Sequence, residues 1–284
     1  MYYGLILLAV IMFGGCFAIN DIYQKKIGSS LKISLQFSLM SSTAGAIVLL
    51  LMNGLKIEFT WFTLLMAFLS ALISFGFTFC SFRALGSINL SLYSLFSMLG
   101  GMALPFLQGI IFYGENITLA KILCFIVICV ALLLTVERSQ KKSGTIYYIG
   151  IFVLNGMAGV LSKIFTEAPY AKTSAEGYSV LIAVCTAAFA ALLLLIIFRK
   201  GCLKLSKSAL GLASLGGITT RLANLWLVVA LVHVDASIQY PMVTGGVMIV
   251  STLICFFCKN KPSKREILSV LVAFAGMLCL LIPA

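Results

Sequence analysis

The sequence predicts an all-α integral membrane protein of ten transmembrane helices, folded as two inverted five-helix repeats. Three observations predict it. Of the 284 residues, 62% are hydrophobic and 10% charged, against about 25% charged in a soluble domain, and the mean hydropathy is +1.14. The apolar residues fall into ten stretches, each close to the roughly 20 residues needed to cross a hydrocarbon core. Five spans per half is an odd number, so the second half must enter the membrane from the opposite side. Inverted repeats of this kind underlie alternating access in many secondary transporters.

The elements follow in order. The first half, 1–136, carries spans at 3–24, 33–52, 61–82, 90–112 and 119–136. A hydrophilic linker at 137–145, beginning Glu137-Arg138-Ser139, separates it from the second half, 146–284. There the spans lie at 146–165, 177–198, 209–231, 235–257 and 265–283. The chain opens Met1-Tyr2-Tyr3 without basic residues, so the first stretch reads as a helix and not as a cleaved signal peptide. Gly14 and Gly15 within it mark close helix packing.

Charge orients the spans. Odd-numbered loops carry Lys25, Lys26, Lys32, Arg83, Arg138, Lys141, Lys142, Arg199, Lys200, Lys204, Lys207, Lys259, Lys261, Lys264 and Arg265. Even-numbered loops carry Lys56, Lys121, Lys163 and Lys172. The excess of Lys and Arg marks the cytoplasmic side, which puts the odd loops inside, both termini outside, and the protein in the cell membrane. The net charge of +12 therefore reads as topology and anionic-lipid contact, not as nucleic-acid binding.

Enzyme chemistry has no foothold. With one histidine there is no zinc site of the usual type. The sequence lacks H-E-x-x-H, a phosphate-binding G-x-x-x-x-G-K and a Ser/His/Asp arrangement. The nine cysteines sit mostly within spans, where they behave as small apolar residues. Cys255 and Cys258 form a C-x-x-C with no second ligand pair. No catalytic residue, metal or cofactor is expected. The expected partners are a small-molecule substrate and membrane lipids, with the chain as a monomer or homodimer.

The halves align over their last three spans by adding 146. Ala84-Leu85 falls on Ala230-Leu231, Ser91 on Ser237, Gly100 on Gly246, Pro105 on Ser251 and Glu115 on Lys261. With Phe82-Arg83-Ala84-Leu85-Gly86-Ser87-Ile88, Leu104-Pro105-Phe106 and Tyr113-Gly114-Glu115-Asn116-Ile117-Thr118, the chain resembles the EamA-type, ten-helix members of the drug/metabolite transporter superfamily. The second half repeats the pattern more loosely, through Ala230-Leu231, Pro241 and Lys259-Asn260-Lys261-Pro262-Ser263. The resemblance covers the whole chain and implies a secondary transporter. Lys261 departs from it, since a glutamate usually stands there, and the charge count opposes the family's usual termini-inside arrangement.

Arg221 is the sharpest site candidate. It lies mid-span, on the order of 15 Å from either end at 1.5 Å per residue. A charge at that depth is costly unless paired or hydrated, and marks function by default. Its planar fork suits a carboxylate or phosphate. Gly217 and Asn224 share its face. Ser70, Ser74, Thr78 and Ser81 form an i, i+4 stripe on the third span, and adding 146 carries Ser74 to Thr220 and Thr78 to Asn224. The cavity expected between the repeats would be lined by Arg221, Asn224, Thr220, Ser74, Thr78, Asn155 and Gln108, with Trp226 and Tyr240 as aromatic walls. Pro105 and Pro241 are the gating candidates, because each removes a helix hydrogen bond. Asp21 and His233 are the proton-coupling candidates, although His233-Val234-Asp235 reads more simply as a polar turn.

The expected function is export or facilitated passage of a small polar metabolite, such as an amino acid or organic acid. The alternatives are a multidrug exporter or a lipid-linked sugar flippase. Scarcity of mid-span acids weighs against the first, and the second needs a lateral opening to lipid.

Overall fold

The structure, a computed structural model, describes residues 2–28, 30–85, 90–134, 145–197, 206–257 and 263–279. The linker at 137–145 falls almost entirely outside them. Among the described residues there are ten helices: α1 (Tyr2–Ile27), α2 (Leu31–Met52), α3 (Trp61–Leu85), α4 (Leu90–Tyr113), α5 (Leu119–Leu134), α6 (Thr145–Glu167), α7 (Ala175–Ile197), α8 (Lys207–Leu231), α9 (Ala236–Phe257) and α10 (Lys264–Leu278). No strand occurs among the described residues. Among the described residues, seven helices are long and apolar enough to cross a membrane, and Leu119–Leu134, Ile267–Leu278 and the Trp61–Phe77 part of α3 are shorter apolar stretches. Several helices outrun the apolar runs that predict them. α1 continues through Gln24-Lys25-Lys26 because helical hydrogen bonding does not stop where hydropathy falls.

Local chemistry starts the helices. The hydroxyls of Ser30, Thr60, Thr118, Ser174 and Ser206 accept from the backbone N–H groups of Ile33, Thr63, Lys121, Gly177 and Ala209. Each satisfies one donor that the first turn leaves unpaired. α4 ends at Gly114, whose φ of 62° lies in the left-handed region that glycine occupies freely. The reversal lets Glu115 N–H donate to the Gly109 carbonyl at 3.1 Å and brings the Glu115 side chain back along the helix end.

Packing interleaves the two halves of the chain. α1 packs on α8 and α9, α2 on α7 and α8, α3 on α6 and α7, α4 on α6 and α9, and α5 on α10. Each of these pairs joins a helix of the first five to one of the second five. Exchanging each helix with its counterpart five places away turns the set into itself. Glycines make the crossings close. A Cβ on Gly100 would overlap the Phe152 carbonyl, and one on Gly156 would stand 2.6 Å from Leu104 Cδ1. Across α1 and α9, a Cβ on Gly246 would stand 2.8 Å from Val10 Cγ1, and one on Gly14 would overlap Val250.

Outward faces are apolar. Leu7, Ile11, Leu65, Phe112, Leu133, Leu195, Leu215 and Leu271 are exposed, a surface that suits hydrocarbon and not water. The described residues form an all-helical bundle whose long apolar helices suit a membrane.

Candidate functional site

Arg221 stands on α8 at the α2 crossing. Its Nη2 donates to Ser42 Oγ at 3.0 Å. Two glycines allow the approach: a Cβ on Gly217 would overlap the Ser41 carbonyl, and one on Gly45 would stand 2.5 Å from Arg221 Cγ. Among the described residues no carboxylate lies within ion-pair distance of Arg221. A guanidinium has five N–H donors, and Ser42 takes one. Ser42 belongs to the small polar run Ser41-Ser42-Thr43 of α2, the signal by which the sequence could have named it.

One residue earlier, Thr220 turns toward α1. Its hydroxyl donates to the Gly216 carbonyl at 2.8 Å and shares a hydrogen bond with Cys16 Sγ at 2.8 Å. Asn224 is exposed and donates to the Thr220 carbonyl at 2.8 Å. Trp226 packs with Leu49, Val180, Ala183 and Leu225 where α2, α7 and α8 meet.

A second group lies where α4, α6 and α9 meet. Asn155 Nδ2 donates to the Ser97 carbonyl at 2.6 Å and contacts Ser97 Oγ at 3.3 Å. Tyr240 OH donates to the Gly159 carbonyl at 3.1 Å. Gly159 sits between the gating candidate Pro105 and Tyr240: a Cβ there would stand 2.5 Å from Pro105 Cγ and 2.9 Å from Tyr240 Cε1. Pro105 and Pro241 are both buried within continuous helices. Gln108 is buried, and its Oε1 has no partner among the described residues. It falls on the α4 stripe that faces α6, one turn beyond Pro105. No hydrogen bond among the described residues joins this group to the Arg221 group.

Ser74 is partly buried on α3 and is hydrogen-bonded or otherwise partnered. Its stripe neighbour Ser70 is buried and bonds the Tyr178 hydroxyl at 3.1 Å. The side chains of Thr78 and Asp21 lie outside the described residues. His233 is exposed in the turn between α8 and α9, where its ring stacks on Tyr2 at 3.9 Å.

A third set, absent from the candidates the sequence offers, lies at the end of the bundle that gathers the even-numbered turns. Glu58 accepts from Ser174 N–H at 2.6 Å and from Ser174 Oγ at 2.8 Å. Those bonds, the backbone one first, hold its carboxyl below the ordinary value of 4.5. Glu115 accepts from the N–H groups of Ala236 and Ser237 at 2.8 and 2.9 Å and from Ser237 Oγ at 2.6 Å, and pairs with Lys163 at 3.0 Å. Burial alone would raise its carboxyl; the donors outweigh burial and hold it below 4.5. Lys163 also pairs with Glu167 at 2.9 Å, and Lys121 with Asp235 at 2.6 Å. Lys121 and Lys163 read from sequence as loop charges, but both are buried and neutralised by these acids. The i,i+4 spacing of Lys163 and Glu167 is visible in the sequence, but the pairs of Lys163 with Glu115 and Lys121 with Asp235 depend on how helices far apart in the chain meet.

No group of His, Cys, Asp and Glu among the described residues has the arrangement of a metal site. No protein-family model matches the chain, and no curated protein matches it by sequence. Solved structures do share its fold. One crystal structure, described only as that of a protein, superposes with a TM-score of 0.71 over 97% of this chain and 94% of that one, at 16% identity.

Proposed function

We propose that the protein is a secondary transporter, an exporter or facilitator, of a small polar metabolite, working by alternating access between two inverted five-helix repeats. The observation that carries this reading is Arg221: a mid-helix guanidinium whose described polar partner is one serine hydroxyl, with no described acid to neutralise it. A charge held at that depth without a counter-ion needs water or an anion beside it. The remaining donors suit the carboxylate of an amino acid or organic acid, gripped in bidentate fashion. The repeat reading is supported by the self-matching set of helix contacts and by the paired glycine crossings at Gly100 with Gly156 and Gly246 with Gly14.

The register of 146 carries Arg221 back to Phe75, so the symmetric position holds no charge. A purely architectural role would have served both halves alike. Because the halves interleave, motion is assigned to bending of α4 and α9 at Pro105 and Pro241 as the repeats rock. The excess of Lys and Arg on the odd side puts the termini outside a cell membrane.

The test is a ligand-stabilisation screen on purified protein beside Arg221→Ala, with anionic, zwitterionic, cationic and lipid-phosphate compounds. A ligand specific to the folded state stabilises it by about 2.7 kcal/mol at 100 times its Kd. The expected outcome is a shift with carboxylates or amino acids that the variant loses. A shift confined to hydrophobic cations or lipid phosphates, unchanged in the variant, would replace this reading with a multidrug exporter or a flippase.

A further inference from the structure

Glu115 is the most completely engaged acid among the described residues. Its carboxylate takes two backbone N–H groups and one hydroxyl from the first turn of α9, and the ammonium of Lys163 from the last turns of α6. A carboxylate offers about four lone-pair sites, and four donors fill them. The side chains of Glu115 and Lys163 are each 5% exposed, whereas Glu167, the second acid on Lys163, is 39% exposed and marks the edge of the cluster. One carboxylate thus ties the turn after α4, the end of α6 and the start of α9.

Stability is a poor reason for such a pair. Burying two charges costs about as much as their attraction returns, and apolar side chains of the same size close a gap as well. A buried pair differs from an apolar plug in having a second favourable state, since both charges are well solvated once water reaches them. An end of a transporter that must be dry in one state and wet in another needs that property.

We infer that Glu115, held by Lys163, Ala236 and Ser237, is a latch that keeps the even-turn end of the bundle shut and releases it when water enters. Glu58 adds a second clasp at the same end, on Ser174 at the start of α7. Both clasps join one half of the chain to the other. The register of 146 carries Glu58 to Lys204 and Glu115 to Lys261. Both lysines lie outside the described residues, but a lysine has no acceptor for helix N–H groups. At these two aligned positions the second half therefore has no carboxylate to match the clasps of the first.

The latch rests on the alternating-access reading, and its test uses no substrate, so it can fail while Arg221 still anchors a ligand. Hydrogen exchange is measured by mass spectrometry on the full chain in lipid nanodiscs, for wild type, Glu115→Gln, Lys163→Met and the milder Ser237→Ala. Each variant should speed exchange in peptides covering 113–118 and 232–240, by about tenfold for the charge-removing pair, the factor that follows from losing a charged hydrogen bond. Peptides from α5 and α10 should keep wild-type rates. Unchanged exchange at 232–240 in all three variants overturns the latch. So does a rise of equal size along the whole chain, which would make the cluster an ordinary structural contact.

Discussion

The carbonyl of Phe152 on α6 occupies the space where a Cβ on Gly100 of α4 would stand. The two backbones touch there, and neither can retreat, because Gly156 meets Leu104 one turn on. Gly100→Ala must push α4 from α6, an overpacking cost of typically about 1–3 kcal/mol. Gly15, on α1, has open space around its missing Cβ. Thermal unfolding in detergent should show a clear loss of Tm for Gly100→Ala and little change for Gly15→Ala. Equal Tm values would mean that the α4–α6 crossing is looser than its geometry.

Acid should loosen the even-turn end. Glu58 and Glu115 titrate below the ordinary carboxylate value of 4.5 when folded. Their contribution is therefore complete above the unfolded value and is lost as pH falls through the folded ones. The charged and titratable groups facing Glu115 are Lys163, Glu167 and Tyr240; Lys56 faces Glu58. The Tm should hold steady from pH 7 to about 5 and then decline. In a Glu58→Gln, Glu115→Gln double variant it should start lower and decline less. A double variant with the wild-type slope would assign the acid sensitivity to other groups.

Asn155 ties α6 to α4 through Ser97. Interhelical hydrogen bonds in membrane bundles contribute about 0.6 kcal/mol on average and up to about 1.7. Asn155→Leu should cost an amount within that range and leave ligand affinity intact, because no described hydrogen bond links Asn155 to Arg221. A large loss of affinity at unchanged Tm would instead bring Asn155 to the substrate.

The spans were legible in the sequence because the bilayer imposes one requirement, length of apolar chain, on every helix. Arg221 was legible because a single charge in such a run has no local explanation. Its partner Ser42 showed only as one member of a polar run; which member faces the guanidinium depends on the rotation of α2 against α8, set where Gly217 backs onto Ser41 and Gly45 onto Arg221, a property of two distant segments together. Lys163 shows the same boundary more sharply. Counted from sequence it is a charge near a loop; folded, it is buried between two acids, one of them 48 residues upstream. Asn155, Tyr240 and Trp226 were legible as polar or aromatic residues at depth, but the neighbours they hold came only with the fold.

Ser42 offers the most discriminating prediction about the arginine. Its hydroxyl fixes one arm of the guanidinium at 3.0 Å, so Ser42→Ala leaves the charge in place and removes its aim. A hydrogen bond to a charged group contributes about 1.5–3 kcal/mol, and only part of that reaches the ligand, which can recruit the freed donor. Affinity for the carboxylate found by the stabilisation screen should fall by about threefold to tenfold, with Tm lowered by a few degrees through the lost interhelical bond and not collapsed, since serine and alanine both fit the crossing. Arg221→Lys should do worse, because a lysine ammonium cannot reproduce a planar fork. Isothermal titration on the three proteins separates the cases. If Ser42→Ala binds as tightly as wild type while Arg221→Lys fails, the guanidinium is aimed by the ligand alone. If both variants bind normally, Arg221 is not the anchor.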